Sequence, residues 1–170
     1  MRVLMLAPPG GGKGTQGIRL AEHLGVEHVS SGDLLRAAVA ERTPLGLQVE
    51  TYMNAGELAP DALVTEAIRP VLMSRDDYVL DGFPRRLAQA EGVDFDTVVF
   101  LDVPHDVVKQ RLLARGRADD TLDVIEKRLR EYDEDTHPLI DHYRDKGVLL
   151  RVDGDRPSDE IAAELREKVN

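Results

Sequence analysis

Gly10-Gly11-Gly12-Lys13-Gly14-Thr15, entered through Ala7-Pro8-Pro9 and left through Gln16, is the stretch whose residue types and spacing could do chemistry. It follows directly on the apolar run Val3-Leu4-Met5-Leu6. Glycines lack Cβ atoms, so successive backbone N–H groups can turn inward on phosphate oxygens. A helix starting near Lys13 would aim the positive end of its dipole at the same point. Lys13 can then reach the outer phosphates, and the Thr15 hydroxyl can face a magnesium ion. A glycine cluster alone is often only a flexible turn. The conjunction of buried strand, glycines, Lys, Thr and helix instead predicts a phosphate-binding loop and a bound nucleotide. Two later segments add polar candidates. In Ser30-Ser31-Gly32-Asp33-Leu34-Leu35-Arg36, Ser31 is placed to cap a helix, with Arg36 about a turn further on. In Asp81-Gly82-Phe83-Pro84-Arg85, the Asp ends an apolar run. A buried Asp there needs a partner, and hydrated magnesium is suited to the part.

Such groups need rigid supports. Apolar runs at 3–6, 78–80, 98–101 and 148–152, the last broken only by Arg151, with His28-Val29 as a fifth, predict parallel strands covered on both faces. Leu122, Ile125, Leu129 and Tyr132, like Ile161, Ala162, Leu165 and Val169, give one apolar stripe each at helical spacing. Strands alternating with helices mean a doubly wound α/β sheet, whose ligands sit beyond the carboxyl ends of the strands. A chain of 170 residues with 42% hydrophobic content suffices for one globular unit. The net charge of −10 repels nucleic acid and anionic lipid, so neither is expected as a partner and any phosphate site must be a local island of positive charge. There is no cysteine, no metal-ligand spacing of His, no signal-like N-terminus and no bilayer-length apolar stretch, which predicts a cytoplasmic protein without zinc or membrane contact. His23, His28, His105, His137 and His142 read as surface or capping residues, and the acidic run 131–135 as a solvated helix face.

The loop 9–16, then Ser31-Gly32-Asp33-Leu34-Leu35-Arg36, Gly56-Glu57-Leu58-Ala59-Pro60-Asp61, Asp81-Gly82-Phe83-Pro84-Arg85 with Gln89-Ala90, and Gly116-Arg117-Ala118-Asp119-Asp120 resemble the adenylate kinases in order and spacing, nearly end to end. No Asn-Lys-x-Asp guanine signature occurs, since the only asparagines are Asn54 and Asn170. The resemblance implies a three-layer α/β/α P-loop fold with a five-stranded parallel sheet. It also implies one domain over 1–170, a helical monophosphate-binding insertion at 30–59 and a reduced lid at about 111–120. It implies reversible, magnesium-dependent transfer of the terminal phosphoryl group of ATP to AMP, giving two ADP, by a monomer. Gly10, Gly11, Gly12, Lys13, Gly14 and Thr15 would hold the ATP phosphates, with Arg115 stacked on the donor adenine and the loop at Gly154 and Arg156 beside that base. Ser31, Arg36, Glu57, Leu58, Ala59, Gly82, Phe83, Pro84, Arg85 and Gln89 would form the AMP site, Gln89 reading the adenine edge. Lys13, Arg85, Arg111, Arg117 and Arg128 would converge on the transferring phosphoryl group, Arg117 and Arg128 also touching AMP. Thr15, Asp33 and Asp81 would orient water around magnesium. Arg130 matches nothing in the pattern and reads as a surface residue.

Four departures bear on these implications. Ala7 replaces a glycine, which is harmless only if its φ is negative. Ser31 stands where the family usually has Thr. A single residue, Gly116, separates Arg115 from Arg117, so the long lid insertion and its zinc-finger-like form are missing. The stretch 86–97 is short and leaves about two helical turns after Arg85. Alternative readings are a pyrimidine monophosphate kinase, disfavoured by Gln89, and a nucleotide-binding or slowly hydrolysing protein that has lost transfer.

Overall fold

In the computed structural model, which describes residues 1–170, strand β1 (Arg2–Leu6) sends Leu4 and Leu6 into one core and Val3 and Met5 into another. The same division recurs along the chain. In β3 (Tyr78–Asp81) Leu80 and Val79 part company, and in β4 (Thr97–Asp102) Val98 and Phe100 oppose Val99 and Leu101. These strands read as unbroken apolar runs because both of their faces are covered. With β2 (Glu27–Ser30) and β5 (Leu149–Asp153) they make a five-stranded, all-parallel sheet in the order β2-β3-β1-β4-β5. The chain leaves β4 toward β5 on one side of the sheet and leaves the neighbouring β1 toward β2 on the other. That opens a crevice at the carboxyl end of β1.

The helices are α1 (Lys13–Leu24), α2 (Ser31–Ala40), α3 (Pro44–Asn54), α4 (Asp61–Met73), α5 (Leu87–Ala90), α6 (His105–Arg115), α7 (Leu122–Glu131), α8 (Pro138–Asp145) and α9 (Ser158–Lys168). Leu20 of α1 with Ile161 and Leu165 of α9 cover the face bearing Val3 and Met5. On the other face, Leu35, Val49, Ile68 and Tyr143 come from α2, α3, α4 and α8. The result is the expected three-layer α/β/α fold. A separate small core of Val108, Leu112, Ile125 and Leu129 joins α6 to α7. No helix is long and apolar enough to cross a membrane.

Four local expectations change. Ser30, not Ser31, caps α2, its Oγ accepting from the Asp33 N–H at 3.3 Å. Ser31 is thereby released into the first turn, where it is buried. Helix α5 has one turn instead of two, because the chain must reach β4 within seven residues of Ala90. Leu122 is 51% exposed, since it opens α7 ahead of the contact with α6. The acidic run does present Asp133 and Glu134 to solvent, but not on a regular α-helix: Tyr132–Thr136 forms a π-helical turn, closed by His137 N–H donating to Tyr132 O at 2.7 Å, with Tyr132 and Thr136 buried.

Candidate active site

At the carboxyl end of β1 the chain enters the glycine loop and the crevice widens into a cavity of about 490 Å³. This lies within the range of small-molecule sites. Gly12, at φ +92°, is the residue before α1 and makes no side-chain cap, so the first N–H groups of that helix have no side-chain acceptor from it. A left-handed turn there favours glycine, and donors left in this way suit an anion. Ala7 has no positive φ, so its methyl group sits in the core without strain. Gly10, Gly12, Lys13, Gly14 and Thr15 all line the cavity, whereas Gly11 turns inward, its N–H donating to Pro8 O at 2.8 Å. Burial and the neighbouring Arg85 charge pull the Lys13 ammonium down to about 8, with Asp81 acting in the opposite direction.

The second wall comes from the ends of β2 and β3. Gly82, at φ +84°, admits no Cβ because one would run into Ser31 Oγ, and so the strand end and the α2 start pack backbone against hydroxyl. Ser31, Arg36, Gly82, Pro84 and Arg85 reach the cavity together with Glu57, Leu58 and Ala59. Phe83 does not: it is 2% exposed and joins the main core. Arg36 pairs with Asp33 one turn before it. Gln89, also on the wall, is held at both ends of its amide, accepting from the Arg85 N–H at 2.8 Å and donating to Asp61 Oδ1 at 2.8 Å. One N–H and one carbonyl lone pair remain to it.

Asp81 has a partner that its sequence position did not disclose. His28 Nε2 lies 2.6 Å from Asp81 Oδ2, and both side chains are largely buried. His28 is thus neither a surface nor a capping residue. Burial pushes the Asp81 carboxyl up, but the His28 hydrogen bond and the Lys13 charge outweigh it and hold the group below its ordinary value. In a strand that alternates sides, His28 and Ser30 share a face; that period was the available signal.

The arginines arrive on α6 and α7. Arg111, Arg115, Arg117 and Arg128 all line the cavity, as expected. The side chains of Arg115 and Arg128 pair with acids that have no role assigned from sequence. Asp120, its side chain buried, takes Arg115 in a two-point contact at 2.7 and 2.8 Å and accepts from the Arg117 N–H at 3.1 Å. Arg128 pairs with Asp119 and lies 3.5 Å from Asp120. Burial and the nearby Arg115 and Arg36 charges lower the Arg117 guanidinium, the mark of cations gathered closely enough to repel. Arg111 donates to Gly154 O at 3.1 Å and so links α6 to the loop after β5. Gly154 and Arg156 stay outside the cavity wall, the Arg156 side chain being engaged by Asp153 O and Glu164. Arg130 is exposed.

Seven cationic side chains on one cavity wall, in a chain of net charge −10, make the island of positive charge that polyphosphates require. No group of three or more His, Asp or Glu side chains converges to grip a cation unaided. The Thr15 hydroxyl and the Asp81 carboxylate, on the wall beside the loop, are instead oxygen donors suited to a metal carried in on phosphates.

Comparison with known proteins agrees with this geometry. The family model described as adenylate kinase matches residues 5–148. The chain is 46% identical over 177 residues to "Adenylate kinase 1" of Nostoc sp. strain PCC 7120, covering 97% of this chain and 96% of that one. It is 44% identical over 173 residues to the "Adenylate kinase" of Nocardia farcinica, covering 95% and 94%, and 49% identical over 161 residues to that of Synechococcus sp. strain RCC307, covering 89% and 88%. With these matches over nearly its whole length, and with the glycine loop and the arginine-bearing helices in one cavity, the chain belongs to the adenylate kinase family.

Proposed function

We propose that the protein, acting as a monomer, transfers the terminal phosphoryl group of ATP reversibly to AMP, giving two ADP, by direct in-line displacement. A phosphate oxygen of AMP forms the new bond to phosphorus as the bond to the bridging oxygen of the ADP leaving group breaks. That nucleophile is already anionic, so no general base is needed, and the protein contributes position, charge and exclusion of water. The observation that carries the reading is one cavity shared by the Lys13 loop on one side and Arg36, Arg85 and Gln89 on the other.

In this reading Gly10 to Thr15 hold the ATP phosphates and Lys13 follows the moving group. Arg85, Arg111, Arg117 and Arg128 offset the charge that spreads over its oxygens, their planar forks each able to hold two. Arg115 covers the donor adenine. The backbone of 57–59 and the remaining N–H and lone pair of Gln89 read the acceptor base. Thr15, Asp33 and Asp81, all on the cavity wall, would face the water shell of a magnesium ion carried in on ATP, which would supply charge to offset the phosphates. The α2–α3 hairpin over 30–59 closes on AMP, and 111–120 serves as the lid.

Incubation with ATP, magnesium and each of AMP, CMP, UMP and GMP in turn, with products separated by chromatography, tests this directly. ADP should form from both substrates with AMP alone. Preference for a pyrimidine acceptor would overturn the base-site assignment, and phosphate release independent of any acceptor would replace transfer with hydrolysis.

A further inference from the structure

The π-helical turn Tyr132–Thr136 borders the cavity through Tyr132 and Thr136, and the segment 131–136 touches two separate parts of its second wall. Glu131 Oε2 accepts from the Leu58 N–H at 3.0 Å, at the loop that follows α3. The Thr136 hydroxyl donates to the backbone carbonyl of Arg85 at 2.7 Å. Regular α-helical winding would turn residue 136 about 140° away from residue 131. A turn closed five residues on brings the two positions back toward one face, and one segment can then reach both loops, which Asp61 also ties together through Gln89 and Arg86.

Arg85 is the residue this arrangement governs. Its N–H donates to Gln89 Oε1 at 2.8 Å, its Nε–H donates to Gly82 O at 2.9 Å, and its carbonyl takes the Thr136 hydroxyl. Backbone donor, backbone acceptor and the root of the guanidinium are all fixed by this chain's own groups. Only the two terminal NH₂ groups are left to face the cavity. An arginine on a loop between a strand end and a one-turn helix would otherwise lack a defined heading, and a displacement of about 1 Å is enough to cost much of a positioned catalyst's advantage.

We propose that Thr136 is a positioning residue for phosphoryl transfer: through its hydrogen bond to the Arg85 carbonyl, the π-turn aims the Arg85 guanidinium at the acceptor phosphate. This rests on the reading of Arg85 as an AMP-site residue. Thr136→Val keeps the side-chain shape and removes only the donor; Thr136→Ser keeps the donor and removes a methyl group. With ATP and AMP, Thr136→Val should lower kcat/KM for AMP about three- to tenfold, the range of a single neutral hydrogen bond, while KM for ATP stays unchanged. The ¹³C shift of the Arg85 carbonyl should move in Thr136→Val and return to the wild-type position in Thr136→Ser, together with the AMP kinetics. Where Thr136→Val does not fold, Thr136→Ala carries the same comparison. Unchanged AMP kinetics in the folded variant, or an equal rise in KM for both nucleotides with a lowered melting temperature, would overturn the proposal. Failure of the wild-type protein to use AMP would overturn the acceptor reading itself, and that result appears before any variant is made.

Discussion

Lys13, on the cavity wall, gives the proposed phosphate site a pH signature. Its ammonium is pulled down to about 8 by burial and by Arg85, so the charged form prevails below that pH and is lost above it. A phosphate anion binds the charged form better. The affinity for ATP measured without any divalent cation should therefore hold below pH 8 and weaken by about fivefold between pH 8 and pH 9. Calorimetric titrations across that range check the sign, and Lys13→Met should bind weakly with no such step; a flat wild-type profile would remove Lys13 from the phosphate site. Asp81 and Asp120 illustrate the opposite case. Each is buried, each is held below its ordinary value by cationic or hydrogen-bonding neighbours, and each is thereby kept charged among the arginines and Lys13 that surround the cavity.

At the scale of elements, the α2–α3 hairpin is fixed by a close backbone approach. Gly46 donates to the Thr43 hydroxyl at 3.0 Å, and a Cβ on Gly46 would run into the Ala38 carbonyl. The atoms that Cβ would meet are all backbone, so the clash has no inexpensive escape. Gly46→Ala should lower stability by about 1–3 kcal/mol, read as a reduced urea midpoint. By shifting the acceptor wall it should also raise KM for AMP more than KM for ATP; equal effects on the two would show that the hairpin does not belong to the AMP half. The chain announces this hairpin only in part. Thr43-Pro44 is a legible helix start, the threonine capping and the proline opening the first turn. The reason for Gly46, however, lies across the hairpin.

For the whole molecule, the decisive feature is that the arginine-bearing helices have a core of their own. Leu112 is fully buried in it, and its Cγ would lie 2.7 Å from a Cβ at Gly10, so it supports the phosphate loop from behind. Leu165, equally buried, lies under α9 on the far side of the sheet. Either residue changed to Ala should cost about 2–5 kcal/mol by denaturant unfolding. Only Leu112→Ala should also weaken ATP binding, and matching affinities in the two variants would separate loop geometry from the α6–α7 core. The sheet and the glycine loop could be read from the chain, because apolar runs, glycine spacing and helical stripes are local properties of sequence, whereas the arginine set and the family were legible through the resemblance of several motifs in order. What the chain did not disclose are pairings between residues far apart along it. His28 meets Asp81 across 53 positions and Thr136 meets Arg85 across 51. Likewise, the burial of Asp120 among arginines follows from how α6 and α7 fold back on each other. The physical reason is that the chain's spacing determines which face of an element a side chain occupies. Which partner stands opposite that face, and so whether an acid becomes a solvated charge or a fixed neighbour of a cavity arginine, is decided only when the layers pack.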